Sequence, residues 1–133
     1  MRLVECVPNF SEGRDKAKVE AIVAAARSAP GVRVLDVETD PDHNRCVLSF
    51  VAPLESAVEA AFLGAKRAVE LIDLNLHKGE HPRMGAVDVI PFIPVAGTTI
   101  TDCIGLAAEL GERIGSELGV PVYLYGRAAR KPE

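Results

Sequence analysis

Apolar and polar positions along this chain follow two rhythms. Leu3 to Val7 is a compact apolar run ended by Pro8, and reads as a strand giving way to a polar turn over residues 9–13. Val19, Ile22, Val23 and Ala26 then recur at helical spacing, so residues 15–28 are predicted to form an amphipathic helix, stopped by Pro30-Gly31. Residues 32–37 and 46–51 are rich in β-branched and apolar types. They flank the turn-forming cluster Thr39-Asp40-Pro41-Asp42-His43-Asn44, and so read as an antiparallel pair with a long connection.

The longest helical stripe is Val58, Ala61, Phe62, Ala65, Val69 and Ile72, between Pro53 and Asp73, with Glu55, Glu59, Lys66, Arg67 and Glu70 opposite. Residues 74–85 carry no apolar period. Val87 to Val95 reads as a strand interrupted by Pro91 and Pro94. Proline has no N–H for a sheet ladder, so this strand is predicted to lie at an edge or to be bulged. Thr99 and Asp102 stand at capping-box spacing before the stripe Ile104, Ala107, Gly111, Ile114 and Leu118. Val120 to Tyr125 reads as a last short strand. The order is β-α-β-β-α-β followed by α-β, and its first six elements are the ferredoxin-like arrangement. The predicted fold class is therefore α+β, with an additional C-terminal αβ: an antiparallel or mixed sheet with helices on one face.

Composition narrows the function classes. A chain of 133 residues can bury one core but not two full-sized ones. A net charge of -4 argues against a generic nucleic-acid binder, and 5% aromatic content leaves few platforms for stacked bases. No apolar run is long enough to span a bilayer, and the start MRLVECVPNF lacks the regions of a signal peptide. Cys6, Cys46 and Cys103 are odd in number and widely spaced, with no CxxC pair. They read as reduced core residues of a cytoplasmic protein.

Candidate chemistry concentrates in His77-Lys78-Gly79-Glu80-His81-Pro82-Arg83-Met84-Gly85, where two histidines, one acid and two bases share a short loop. Histidine titrates nearest neutral pH and suits a step in which one proton is both taken and given. Lys78 and Arg83 would hold a neighbouring imidazole neutral, whereas Glu80 would act the opposite way. Pro82 biases His81 toward an extended backbone. A merely solvated polar loop is the plain alternative. A metal site built from His77, His81 and His43 is disfavoured, because residues four apart face together only on a helix and Gly79 and Pro82 oppose one. Two further segments stand out. Arg45, in Asp42-His43-Asn44-Arg45, could pair bidentately with a carboxylate, or simply cap a turn. The connection Val7-Pro8-Asn9-Phe10-Ser11-Glu12-Gly13 could offer backbone N–H groups to an anion at a helix start, or be an ordinary turn with Ser11 as N-cap.

These segments together resemble the glutamate formimidoyltransferases. The likeness runs through Val4-Glu5-Cys6-Val7-Pro8-Asn9-Phe10-Ser11-Glu12-Gly13, Asn44-Arg45, and His77 to Asp88. It continues through Pro91-Phe92-Ile93-Pro94-Val95 and Pro121-Val122-Tyr123-Leu124-Tyr125-Gly126. It covers nearly the whole chain and is collinear. The resemblance implies transfer of the formimino group from N-formimino-L-glutamate to N5 of tetrahydrofolate in histidine degradation, with tetrahydrofolate as co-substrate and no metal. It implies two ferredoxin-like subdomains with folate in the groove between them, residues 1–126 being the N-terminal one. Residues 127–133 would be a tail or the start of a connection to a C-terminal subdomain that this chain lacks, leaving activity of the isolated chain in question. It assigns His81 as the catalytic acid/base. Arg45, Asn44, Asn9, Glu38, Lys78 and Arg83 become substrate-binding candidates. A homodimer is compatible with this reading; nucleic-acid and membrane partners are not expected. The alternatives are a related folate-dependent formyltransferase, or a folate-binding or assembly module without catalysis.

Overall fold

The computed structural model of the chain describes residues 2–12, 14–42, 45–73 and 87–118. Its elements, in chain order, are β1 Leu3–Cys6, β2 Asn9–Phe10, α1 Lys16–Arg27, β3 Arg33–Asp40, β4 Arg45–Pro53, α2 Leu54–Asp73, β5 Val87–Val89, β6 Phe92–Ala96 and α3 Ile100–Arg113. A π-helical turn, Ile114–Leu118, prolongs α3.

Prolines break two of the strands without ending them. β1 and β2 both pair with β4, and across the gap the Pro8 carbonyl accepts from the Leu48 N–H at 3.0 Å. β5 and β6 lie in the same way along β2 and β1, and Val7 N–H donates to the Pro91 carbonyl at 3.2 Å. Counting each broken pair as one, the sheet runs β3, β4, β1/β2, β6/β5, with every neighbour antiparallel. Among the described strands, the one with the prolines lies at an edge, and it shifts register against β1 and β2, as its sequence predicts.

Alternation in β1 and β4 gives the sheet two unlike faces. Val4, Cys6, Phe10, Cys46, Leu48, Phe50 and Ala52 are buried, and all but Cys46 join the core built with the three helices. On α2, Ala57, Ala60, Ala61, Gly64, Ala65 and Ala68 are all buried, a run of small residues that lets the layers approach closely. A Cβ built on Gly64 would lie 3.5 Å from the Ala26 methyl and 3.7 Å from the Phe10 ring. Gly31, with φ 76°, makes the turn after α1. A side chain there would meet the Pro53 ring at 2.6 Å, so glycine is required twice over. Arg113 pins α3 to α2: it donates to Glu59 at 2.7 Å, and its guanidinium lies 3.8 Å above the Phe62 ring.

Helix ends obey local rules. Asp15, not Ser11, is the N-cap of α1, because its carboxylate reaches Ala17 N–H at 3.0 Å and Lys18 N–H at 3.3 Å. Thr99 and Asp102 form the predicted capping box of α3. Two further expectations need correction. Asn9 and Phe10 are strand rather than turn, since the ladder to β4 and β5 outweighs their turn propensity. β3 runs three residues past Val37 through Thr39-Asp40, so the β3–β4 connection is shorter than predicted. The strand expected over Val120 to Tyr125 and the loop over residues 74–85 lie outside the described residues.

Candidate functional site

The sheet face turned away from the helices gathers the predicted site residues that the structure describes. Antiparallel partners share a face, and Val47 of β4 pairs with Asn9 on one side and Glu38 on the other. Val89 of β5 extends the row beyond Asn9. The row across the sheet is therefore Val89, Asn9, Val47, Glu38. With strands about 4.8 Å apart, Asn9 and Glu38 stand roughly 10 Å from each other across Val47. Arg45, two residues before Val47 and so on the same face, opens β4 opposite Asp40. Glu38 and Arg45 are exposed and Asn9 is half-buried. Amide, carboxylate and guanidinium thus surround the half-buried Val47 on this face. Such a face can hold a flat molecule over Val47 and fix its polar ends by hydrogen bonds.

His81, Asn44, Lys78 and Arg83 lie outside the described residues, as do His43, His77 and Glu80. The chain re-enters the described structure at Val87, opposite Phe10, one strand from the Asn9 row.

The anion site considered at the start of α1 is overturned. Its N–H groups already have carboxylate partners: Ala17 and Lys18 donate to Asp15, and Arg14 and Asp15 donate to Glu12 at 3.2 and 2.9 Å. An added anion would meet two fixed negative charges there.

Glu12 and Arg14 were not singled out from the sequence. Glu12 is 7% exposed, and Lys18 lies 3.9 Å from its carboxylate. Arg14 projects from the turn that Glu12 organises. It donates through Nε to the Pro41 carbonyl at 2.7 Å and through Nη2 to the Asp42 carbonyl at 3.4 Å, at the tip of the β3–β4 hairpin. The only signal for this network in the sequence is the density of charge in Glu12-Gly13-Arg14-Asp15 just ahead of a helix.

The cysteines are buried free thiols. Burial pushes those of Cys6, Cys46 and Cys103 up, which keeps them protonated and poor nucleophiles. Among the described residues no three His, Cys, Asp or Glu side chains gather as a metal-binding group, and no helix is long and apolar enough to cross a membrane.

The family described as "Formiminotransferase domain, N-terminal subdomain" matches residues 3–133. A glutamate formimidoyltransferase of Thermoplasma acidophilum is 56% identical over the whole chain, which covers 44% of that relative. One of Streptococcus pyogenes serotype M1 is 48% identical over 99% of the chain and 44% of its own length. A formimidoyltransferase-cyclodeaminase of Sus scrofa is 54% identical over 97% of the chain, which covers 24% of that relative. The chain therefore spans less than half the length of each of these relatives.

Proposed function

The chain belongs to the formiminotransferase family, as its N-terminal subdomain, and from that premise we propose that it serves transfer of the formimino group from N-formimino-L-glutamate to N5 of tetrahydrofolate. The observation that carries this reading is the 56% identity to a glutamate formimidoyltransferase over all 133 residues. The open sheet face supports it. A flat reduced pterin can lie over Val47, and Arg45 can hold a carboxylate by a charge-assisted pair.

In the proposed step the N5 lone pair attacks the formimino carbon and a new C–N bond forms. The bond from that carbon to the glutamate nitrogen breaks. One proton leaves N5 and one proton reaches the departing glutamate amine. His81 takes the first and returns it as the second, so the residue is unchanged after turnover. Arg45, Asn44, Asn9, Glu38, Lys78 and Arg83 bind and orient the two substrates. A C-terminal subdomain, the counterpart of this one in the longer relatives, would close over the open face and complete the folate site. A reducing, cytoplasmic setting fits the three buried thiols.

The test is direct. The chain, alone and with a formiminotransferase C-terminal subdomain, is assayed with N-formimino-L-glutamate and then with the formyl analogue as donor. Formimino transfer is expected in the combined state, and His81→Ala should lower its kcat by about 10²–10⁴-fold with little change in KM. A His81→Ala enzyme of undiminished kcat removes the imidazole from the mechanism. Preference for the formyl donor would reassign the reaction.

A further inference from the structure

We infer that Arg14 is a positioning residue, tethering the tip of the β3–β4 hairpin so that Arg45 meets the substrate carboxylate at a fixed angle. The inference rests on the proposed reaction and adds to it a residue that has no place on the open face itself. Arg45 is the first residue of β4, directly after the hairpin tip. Its aim depends on how the tip is held, and an exposed tip is the part of a hairpin most free to fray.

Arg14 holds that tip at two successive carbonyls, those of Pro41 and Asp42, with two nitrogens of one planar group. Two bonds from a rigid fork fix an orientation, whereas a single bond would leave a pivot. The fork itself starts from a firm base. Glu12 is buried and accepts the backbone N–H of Arg14, and Lys18 lies beside the same carboxylate. The tip is further closed from within, as Asp42 N–H donates to Asp40 Oδ1 at 3.1 Å. The tether joins the turn that follows Asn9-Phe10 to the turn at Pro41-Asp42, beyond the Asp40–Arg45 pair. It thereby couples two strands whose side chains are proposed to touch the same substrate.

The experiment uses the active assembly and compares Arg14→Ala, Arg14→Lys and Asp15→Ala. Asp15 caps α1 from the same turn but does not reach the hairpin, so it reports a purely structural loss. Arg14→Ala should raise KM for the formimino donor about tenfold with kcat held within about twofold. It should also speed hydrogen exchange in the peptide covering residues 38–48. Arg14→Lys should recover part of both, since an ammonium serves one carbonyl well and two poorly. Asp15→Ala should lower Tm and leave KM and hairpin exchange as they were. The inference is sunk by an Arg14→Ala enzyme with unchanged KM, with unchanged exchange at the hairpin, or with the loss in kcat instead. A wild-type assembly without formimino transfer sinks the parent reading and this role together, whereas an active wild type indifferent to Arg14→Ala sinks this role alone.

Discussion

The two faces of the sheet are made by the same strands and have opposite characters. On the covered face of β1, β2 and β4, successive inward residues are aliphatic, aromatic or cysteine and lie at most 1% exposed. On the open face, one residue along each time, stand Glu5, Asn9, Val47, Ser49 and Val51, all half-buried, and then the exposed Glu38 and Arg45. The period of two lets one strand serve stability with its odd or even positions and recognition with the others. A change on one face should therefore move unfolding, and a change on the other should move catalysis.

The sharpest way to break that division is Phe50→Ala. Phe50 is fully buried in the core, and its loss should cost about 3–5 kcal/mol in denaturant unfolding, with kcat per folded molecule unaltered. A Phe50→Ala protein of normal stability and impaired kcat would refute the separation. Next in size is Arg45→Ala on the open face. It should raise KM for the formimino donor at least about tenfold while unfolding moves by under about 0.5 kcal/mol. It also sets an upper bound for Arg14→Ala, which acts only through Arg45. The smallest effect concerns the covering layer. Thr99→Ala removes the cap of α3 and should cost about 1 kcal/mol, read by thermal or urea unfolding, with kcat and KM unchanged. The same cap gives a pH signature. The Thr99 N–H, more than Arg2, holds the Asp102 carboxyl below the usual carboxylate range. A depressed folded pKa means this contribution is whole at neutral pH, begins to fall at the ordinary carboxylate pKa and is gone below the depressed one. Asp102→Asn should flatten that part of the acid-unfolding profile.

Legibility from sequence followed the range of the interactions. The α3 cap was plain from Thr99 and Asp102, and the edge position of β5/β6 from Pro91 and Pro94, because each depends on residues close by. The strand character of Asn9-Phe10 was hidden, since Pro8 and the polar residues around it signal a turn and only pairing with β4 and β5 reverses that. The same holds for Thr39-Asp40, drawn into β3 by Cys46 and Arg45. Asn9, Glu38 and Arg45 could be named as candidates by resemblance. That Asn9 and Glu38 share a row through Val47 could not, because register across three strands is not written in any one of them. Glu12 was missed for a related reason: a lone carboxylate is buried only where backbone donors converge on it.

The small residues of α2 have a consequence for how this fold can change. Where Gly64 faces Ala26 and the Phe10 ring, a single added carbon atom would already be in van der Waals contact with both. Trimming is hardly available either, because an alanine has only its methyl to give up. Variation in this subdomain is thus steered away from the junction of its helices and onto its strands' free side, where new chemistry can be tried without disturbing the frame.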